Sequence, residues 1–237
     1  MKHKIKPSDI ISYTEMCSME GYSLQRGMNF RVRGGVSVIL MSVRKGAPYA
    51  DKTEENGQIL IYEGHDVPKN EAESPKTVDQ TQYTSSGKLT QNGKFYEAAM
   101  GYKNENQEAE IVKVYEKIKD GIWVFNGVFE LIDAWKEKSN NRKVFKFKLQ
   151  ITNKTSKQKE SRNSKTISDL PHNRMIPTDV KLTVWKRDKG CCVQCGSKDN
   201  LHFDHILPFS KGGTSIKVEN IQLLCARHNL AKRDKIQ

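Results

Sequence analysis

The last quarter of the chain carries Cys192-x2-Cys195, then His202-Phe203-Asp204-His205, then Asn220, then Cys225-x2-His228-Asn229. Cys/Cys and Cys/His pairs at this spacing suit two turns that each aim two donors at one tetrahedral ion. Thiolate and imidazole donors favour zinc, so Cys192, Cys195, Cys225 and His228 are expected to hold a structural Zn2+. Asp204 offers a harder oxygen, suited to Mg2+, Mn2+ or a similar divalent ion. His205 beside it can take a proton from water near neutral pH. Two metals of different character therefore fit, one that knits a small fold together and one that serves hydrolysis.

Charge points to the substrate. The 237 residues carry a formal net charge of +12, which favours a polyanionic partner and makes a phosphate backbone the expected substrate. No apolar run reaches the roughly 18 residues that a membrane span needs, so no membrane partner is expected. The basic start, Met1 to Asp9, is not followed by a signal-peptide core, and a cytoplasmic location is expected. Four of the five cysteines lie between Cys191 and Cys225. That clustering predicts a metal in a reducing compartment rather than a disulfide framework. Cys17 reads as a small buried hydrophobe. Gly196, trailing the knuckle, selects Cys192 over Cys191 as the first ligand.

These side chains need elements to position them. From Ile10 to Gln150 the pattern is mostly strand and turn, with strands expected at 35–43, 58–62, 111–119 and 144–149. Ile122–Phe125 and Val128–Ile132 flank Asn126-Gly127, which predicts a hairpin turn there. Helices are expected at 12–21 and 94–102. Many strands with few helices predict an α+β chain whose first domain, residues 1–150, is a curved sheet or partly open barrel with flanking helices. Residues 151–170 are polar, basic and poor in large apolar side chains, and read as a flexible linker. Residues 171–237 form the second domain. Thr178-Asp179 is expected to cap a helix closed by Gly190. About 65 residues make a thin core, which a structural metal would supplement. In the strand that follows, Leu201 and Phe203 face one side, and His202 and Asp204 the other. Asn229 is expected to begin the helix facing that strand. His202 is left open between the metal shell, a phosphate contact and neither.

The stretches "VWKRDKGCCVQCG", "HFDHILPFSKGG" and "ENIQLLCARHNLAK" resemble an HNH nuclease domain of the ββα-metal type. That resemblance implies His205 as general base, Asp204 and Asn229 as ligands of the catalytic ion, and Asn220 as the residue that helps orient His205. It also implies 5′-phosphate and 3′-hydroxyl products. The front stretches "QRGMNFRVRGGVSVILMSVRKGAPYAD", "ILIYEGHD", "LTQNGKFYEAA" and "VYEKIKDGIWVFNGVFELIDAW" resemble the SRA, or YDG, domain. Members of that family grip DNA with a crescent-shaped sheet and flip a modified cytosine into an aromatic cage. Together the two resemble bacterial modified-cytosine-dependent restriction endonucleases. The implied substrate is double-stranded DNA bearing 5-methylcytosine or 5-hydroxymethylcytosine.

A flipped base needs flat faces above and below it and a polar reader at its edge. Tyr49 and Tyr62 are candidates for the stack, and Asp51 for accepting the exocyclic amine. His65, on a loop after "YEG", is a further candidate that contacts the base or phosphate, or only holds the loop. Arg26, Arg31, Arg33, Arg44 and Lys45 stand where phosphate contacts would help. Breaking both strands favours a homodimer on the pseudo-symmetric duplex. A free linker would let cuts fall at scattered distances from the modified base. Two other readings stay open: a modified-DNA-binding protein whose HNH domain is structural and weakly active or inactive, and an SRA-guided repair nuclease.

Overall fold

Alternating apolar and polar residues over 110–152 build the three longest strands of the protein, β6 (Glu110–Lys119), β7 (Ile122–Ser139) and β8 (Arg142–Thr152). The computed structural model describes residues 5–152, 175–208 and 211–232. Apart from Ile151 and Thr152, which end β8, the linker expected at 151–170 lies outside them. Before β6 come β1 (Ile10–Ser12), α1 (Tyr13–Glu20), β2 (Met28–Asn29), β3 (Ser37–Met41), β4 (Lys52–Glu54), β5 (Ile59–Glu63) and α2 (Gln91–Lys103). After β8 come α3 (Thr178–Arg187), β9 (Leu201–His205), β10 (Ile221–Cys225) and α4 (Ala226–Lys232).

The large sheet runs β2-β3-β6-β7-β8-β5-β4, with β1 paired to β7 beside this path. The order corrects the expected curved sheet or partly open barrel. Its ends, β2 and β4, do not pair with each other, so the sheet is open. Closure would need a ladder between them, and β2 has only two residues to offer. A second, two-stranded sheet pairs β9 with β10. The α+β class stands.

Asn126-Gly127 is not a hairpin turn. Strand β7 runs straight through it, and the register steps from Val114↔Gly127 to Tyr115↔Phe125. Asn126 is thus the extra residue of a β-bulge, and Gly127, at φ 114°, supplies the backbone freedom the bulge requires. The same local chemistry serves either a turn or a bulge, and the partner strand decides between them. Ser12 caps α1 in a reciprocal capping box with Glu15, and Gly21 closes it in the left-handed conformation. At α3 the cap position is Pro177 rather than Thr178. Asn229 lies in the middle of α4, not at its start.

One core lies between the sheet and α2, around Phe95, Phe129, Phe145 and Phe147. A second joins Ile118 and Val124 of the sheet to Ile176, Val180, Val184, Phe203, Ile221 and Leu223. The small α3/β9/β10 unit therefore completes its core with side chains of the large sheet. Beneath that seam Lys181 donates to Glu116 at 2.6 Å and to Asn126 at 2.6 Å. Burial lowers the pKa of Lys181, and Glu116 opposes that shift.

Where the described chain resumes, Met175 packs against the turn after β4. A Cβ built on Gly57 would stand 2.4 Å from the Met175 carbonyl oxygen, at φ +83°. Gly34, at φ +73°, has nothing within 4 Å of the same position. Gly34→Ala should therefore lose only the backbone preference, about 1 kcal/mol. Gly57→Ala should lose clearly more, about 1–3 kcal/mol beyond that. Urea unfolding of the two variants measures the difference, and equal losses would dismiss the contact with Met175.

Candidate functional site

The Cys/His ligands come from two turns, as their spacing predicts. Cys192 and Cys195 flank a turn closed by Gly196 N–H donating to the Cys192 carbonyl at 2.8 Å. Cys225 ends β10, and His228 lies in the first turn of α4. The donor atoms of Cys192, Cys195, Cys225 and His228 all lie within 4.8 Å of one another. His228 Nδ1 stands 3.3 Å from Cys192 Sγ and 3.4 Å from Cys225 Sγ. Burial opposes ionisation of Cys192. Hydrogen bonds from backbone groups and His228 outweigh it and bring the thiol down to about 6. The set can hold one metal ion. Cys191 turns away, toward the Lys189 carbonyl.

Strand β9 delivers Asp204 and His205 side by side. Asp204 Oδ2 accepts from Lys232 Nζ at 2.7 Å and from Gln222 Nε2 at 3.3 Å. Its Oδ1 has no hydrogen-bond partner among the described residues, so one hard oxygen remains for a cation. Lys232, buried on α4, also donates to the His205 carbonyl. The His205 ring meets Ser215 through Nε2 at 2.9 Å. Burial lowers the pKa of His205, Asp204 raises it and Lys232 lowers it again, for a net downward shift. Asn220 makes no hydrogen bond to this ring among the described residues. Its amide bonds Leu207 N and O and Thr214 O, and so ties together the loop that carries Ser215. Asn229 stands half-buried on α4, which packs against both β9 and β10. His202 Nδ1 lies 2.5 Å from Asp9 Oδ1, and its Nε2 is buried without a partner among the described residues.

Ser215 and Lys232 are contacts that sequence reasoning missed. Lys232 follows Asn229 by one helical turn, a spacing that places both on one face. Ser215 gives no such signal, because only the folded loop brings it to His205.

On the large sheet, a cavity of about 610 Å3 is lined by Arg26, Gly27, Met41, Tyr49, Asp51 and Tyr62, among others. Three of the four expected base-pocket residues therefore meet. The Asp51 carboxylate accepts from Ser42 N at 3.1 Å and Glu63 N at 3.0 Å. Burial nonetheless raises it to about 7. The fourth, His65, stacks on Tyr49 with ring centroids 5.9 Å apart. Lys76 Nζ lies 3.8 Å from the Tyr49 centroid. His65 Nε2 is buried without a partner among the described residues, and burial pushes its pKa down to about 4. Gly27 must be glycine here, because a Cβ would sit 2.6 Å from Tyr62 Oη and 3.2 Å from His65 Nε2.

The expected cationic residues differ in availability. Arg26 and Arg44 line the cavity, although Arg44 also pairs with Asp120 at 3.3 Å. Arg31 is tied to Glu110 at 2.9 Å. Arg33 and Lys45 are exposed.

Residues 192–235 match the family model described as HNH endonuclease. Among solved structures, the chain is similar to the SUVH5 SRA domain in complex with hemi-methylated CG DNA. The identity is 24%, over 65% of this chain and 93% of that one, with a TM-score of 0.45. It is likewise similar to SUVH5 SRA bound to fully hydroxymethylated CG DNA, at 21% identity over 64% and 88%, TM-score 0.43. The Type IV phosphorothioation-dependent restriction endonuclease ScoMcrA is 12% identical over 98% of this chain and 56% of its own, TM-score 0.45. None of the curated proteins matches the chain. The matched HNH segment takes in Cys192, Cys195, Asp204, His205, Cys225 and His228. Among the described residues no helix is long and apolar enough to cross a membrane.

Two outcomes follow from this geometry. Cys195→Ser should lower the bound metal from about one ion per chain and unfold the second unit. Elemental analysis alongside hydrogen exchange checks both, and folded protein without metal would refute the assignment. Asp51, raised from 3.8 to about 7, keeps a proton that the unfolded chain releases at lower pH. Its contribution to stability is therefore present in acid and is lost as pH rises from about 4 to about 7. Comparing urea midpoints of the parent and Asp51→Ala across that range tests the sign.

Proposed function

We propose that the protein is a modification-dependent DNA endonuclease of the type IV restriction kind. It flips 5-methylcytosine or 5-hydroxymethylcytosine out of double-stranded DNA and hydrolyses a nearby phosphodiester bond. The observation that carries this reading is the Asp204–His205 pair, set inside the HNH-matching segment of a chain whose sheet bears a cavity lined by Tyr49, Asp51 and Tyr62.

In the cavity, Tyr49 and Tyr62 offer ring surface to a flipped base, and ionised Asp51 accepts from its exocyclic amine. Arg26, Arg33, Arg44 and Lys45 stand to meet phosphates, and Arg31 does so only by leaving Glu110. In the nuclease unit, Cys192, Cys195, Cys225 and His228 would hold Zn2+ as a structural cross-link. Asp204 and Asn229 would hold Mg2+, Mn2+ or a similar ion, whose contribution is to stabilise developing negative charge. With Nε2–H donated to Ser215, the Nδ1 lone pair of His205 takes a proton from water. The oxygen of that water bonds to phosphorus in line with the departing 3′ oxygen. The P–O3′ bond breaks, O3′ takes a proton from solvent, and 5′-phosphate and 3′-hydroxyl ends result. Asn220 keeps the Ser215 loop in place. Two copies on one duplex would break both strands, so a homodimer on DNA is part of this proposal.

A second reading draws on Lys232. Its buried ammonium, 2.7 Å from Asp204, already supplies positive charge beside the candidate ligand. That favours a modified-DNA-binding protein with a weakly active HNH unit.

His205→Ala distinguishes the two. It should abolish cutting of a modified duplex while binding is kept, and a variant that cuts like the parent would remove His205 as the base. Asp51→Ala should erase most of the preference for modified over unmodified duplex. In the parent that preference should grow as pH rises through about 7, because only ionised Asp51 is a pure acceptor. Anisotropy titrations at several pH values measure it, and a preference that strengthens in acid would overturn the role given to Asp51.

A further inference from the structure

The seam between the two units lies directly under the cavity. Met41 lines the cavity and is the register partner of Glu116, whose neighbour Lys117 lines it too. Glu116 is fully buried, and so is Lys181 of α3. Lys181 Nζ donates to Glu116 Oε2 and Asn126 Oδ1, both at 2.6 Å, and the Thr178 hydroxyl donates to Glu116 Oε1. Asn126 Nδ2 also donates to Glu116 Oε2 at 2.9 Å and reaches Met41 Sδ at 3.5 Å. On the far side of the same core, Phe203 N–H donates to the Ser8 carbonyl at 3.1 Å, and His202 meets Asp9. The strand that carries Asp204 and His205 is thereby hydrogen-bonded to the chain leading into β1.

We infer that Lys181 is a positioning residue that locks the nuclease unit onto the sheet, so that cuts fall at one fixed offset from the flipped base. This rests on the endonuclease reading given above. A buried ammonium bonded to a buried carboxylate tolerates little sliding, because any displacement leaves a charge without water or partner. The apolar seam around Val180, Val184 and Phe203 adds an area that a tethered domain would leave wet. Docking of this kind argues against the scattered cuts that a free linker would allow.

The test lengthens the connection without touching the seam. About ten Gly/Ser residues inserted between Lys159 and Glu160 would add about 3.3–3.6 Å of reach each if the unit were tethered. Sequencing of the cut ends on a duplex with a single modified cytosine should show the same dominant offset in the parent and the insertion variant. An offset that moves outward or spreads in the insertion variant would overturn the inference. Lys181→Met leaves Glu116 buried without its cation and should broaden the ends. Lys181→Met with Glu116→Gln removes both charges, keeps an acceptor for Thr178, and should restore the single offset. If broadening persists in that double variant at parental thermal stability, the ion pair is not what holds the seam and the role of Lys181 falls.

Small-angle scattering of the full chain reads docking without any cutting. Unchanged dimensions of the insertion variant's folded body support the inference, and separation into two bodies overturns it. Should no modified duplex be cut by any of these proteins, the endonuclease reading fails, and the scattering result alone decides the docking.

Discussion

Glu116 holds a carboxylate where no water reaches, and three side chains from two separate elements, α3 and β7, converge to satisfy it. Lys181 brings the countercharge, Thr178 a hydroxyl and Asn126 an amide. Leaving one such buried charge unpaired costs about 3–5 kcal/mol, a large share of a domain's net stability. The bulge in β7 is what turns Asn126 inward, so an irregularity in the sheet and the placement of α3 answer the same electrostatic demand. Pro177 at the helix cap fits this arrangement, because it leaves the Thr178 hydroxyl unused by the helix terminus.

The candidate metal ligands were legible because their geometry is local. Two residues between donors define a turn whatever surrounds it, and the Cys3His set converges as the spacing says. The hydrophobic patterns of β6 and β8 were legible for the same reason, since alternation is written in consecutive residues. What escaped depends on distant partners. Asn126-Gly127 carries a strong turn signal, but the opposing strand β6 continues past it and makes it a bulge. A partly closed barrel and an open sheet share strand patterns, and only the pairing at the edges separates them. His202 alternates on β9 with Asp204, but nothing in its own stretch announces that Asp9, far away in sequence, stands at its Nδ1. Ser215 and Lys232 reach His205 and Asp204 through a loop and a helix whose placement no single stretch encodes.

The formal charge of the chain is likewise a poor map of its surface. Arg142 and Lys146 are buried against Glu63 and Asp66, where they brace the loop that follows β5 and carries His65. Arg31 spends its guanidinium on Glu110. These cations are held by acidic partners within the fold. The free cations near the cavity are fewer than the composition suggests, and they gather on the loops beside β3.

Strand β3 lies parallel to β6, its Ser37 opposite Val112, and this has a consequence for how the protein is born. A parallel neighbour cannot be reached by a tight turn. The early strands must therefore wait, while the chain is synthesised, for β6 through β8 to leave the ribosome. Helix α3 and the Cys/His ligands emerge only after every strand of the large sheet is available. Sheets that rely on such distant partners fold slowly, and domains tend to fold in the order in which they appear. The nascent second unit thus meets a surface that is already formed, and Lys232, which stands beside Asp204, follows all of those strands.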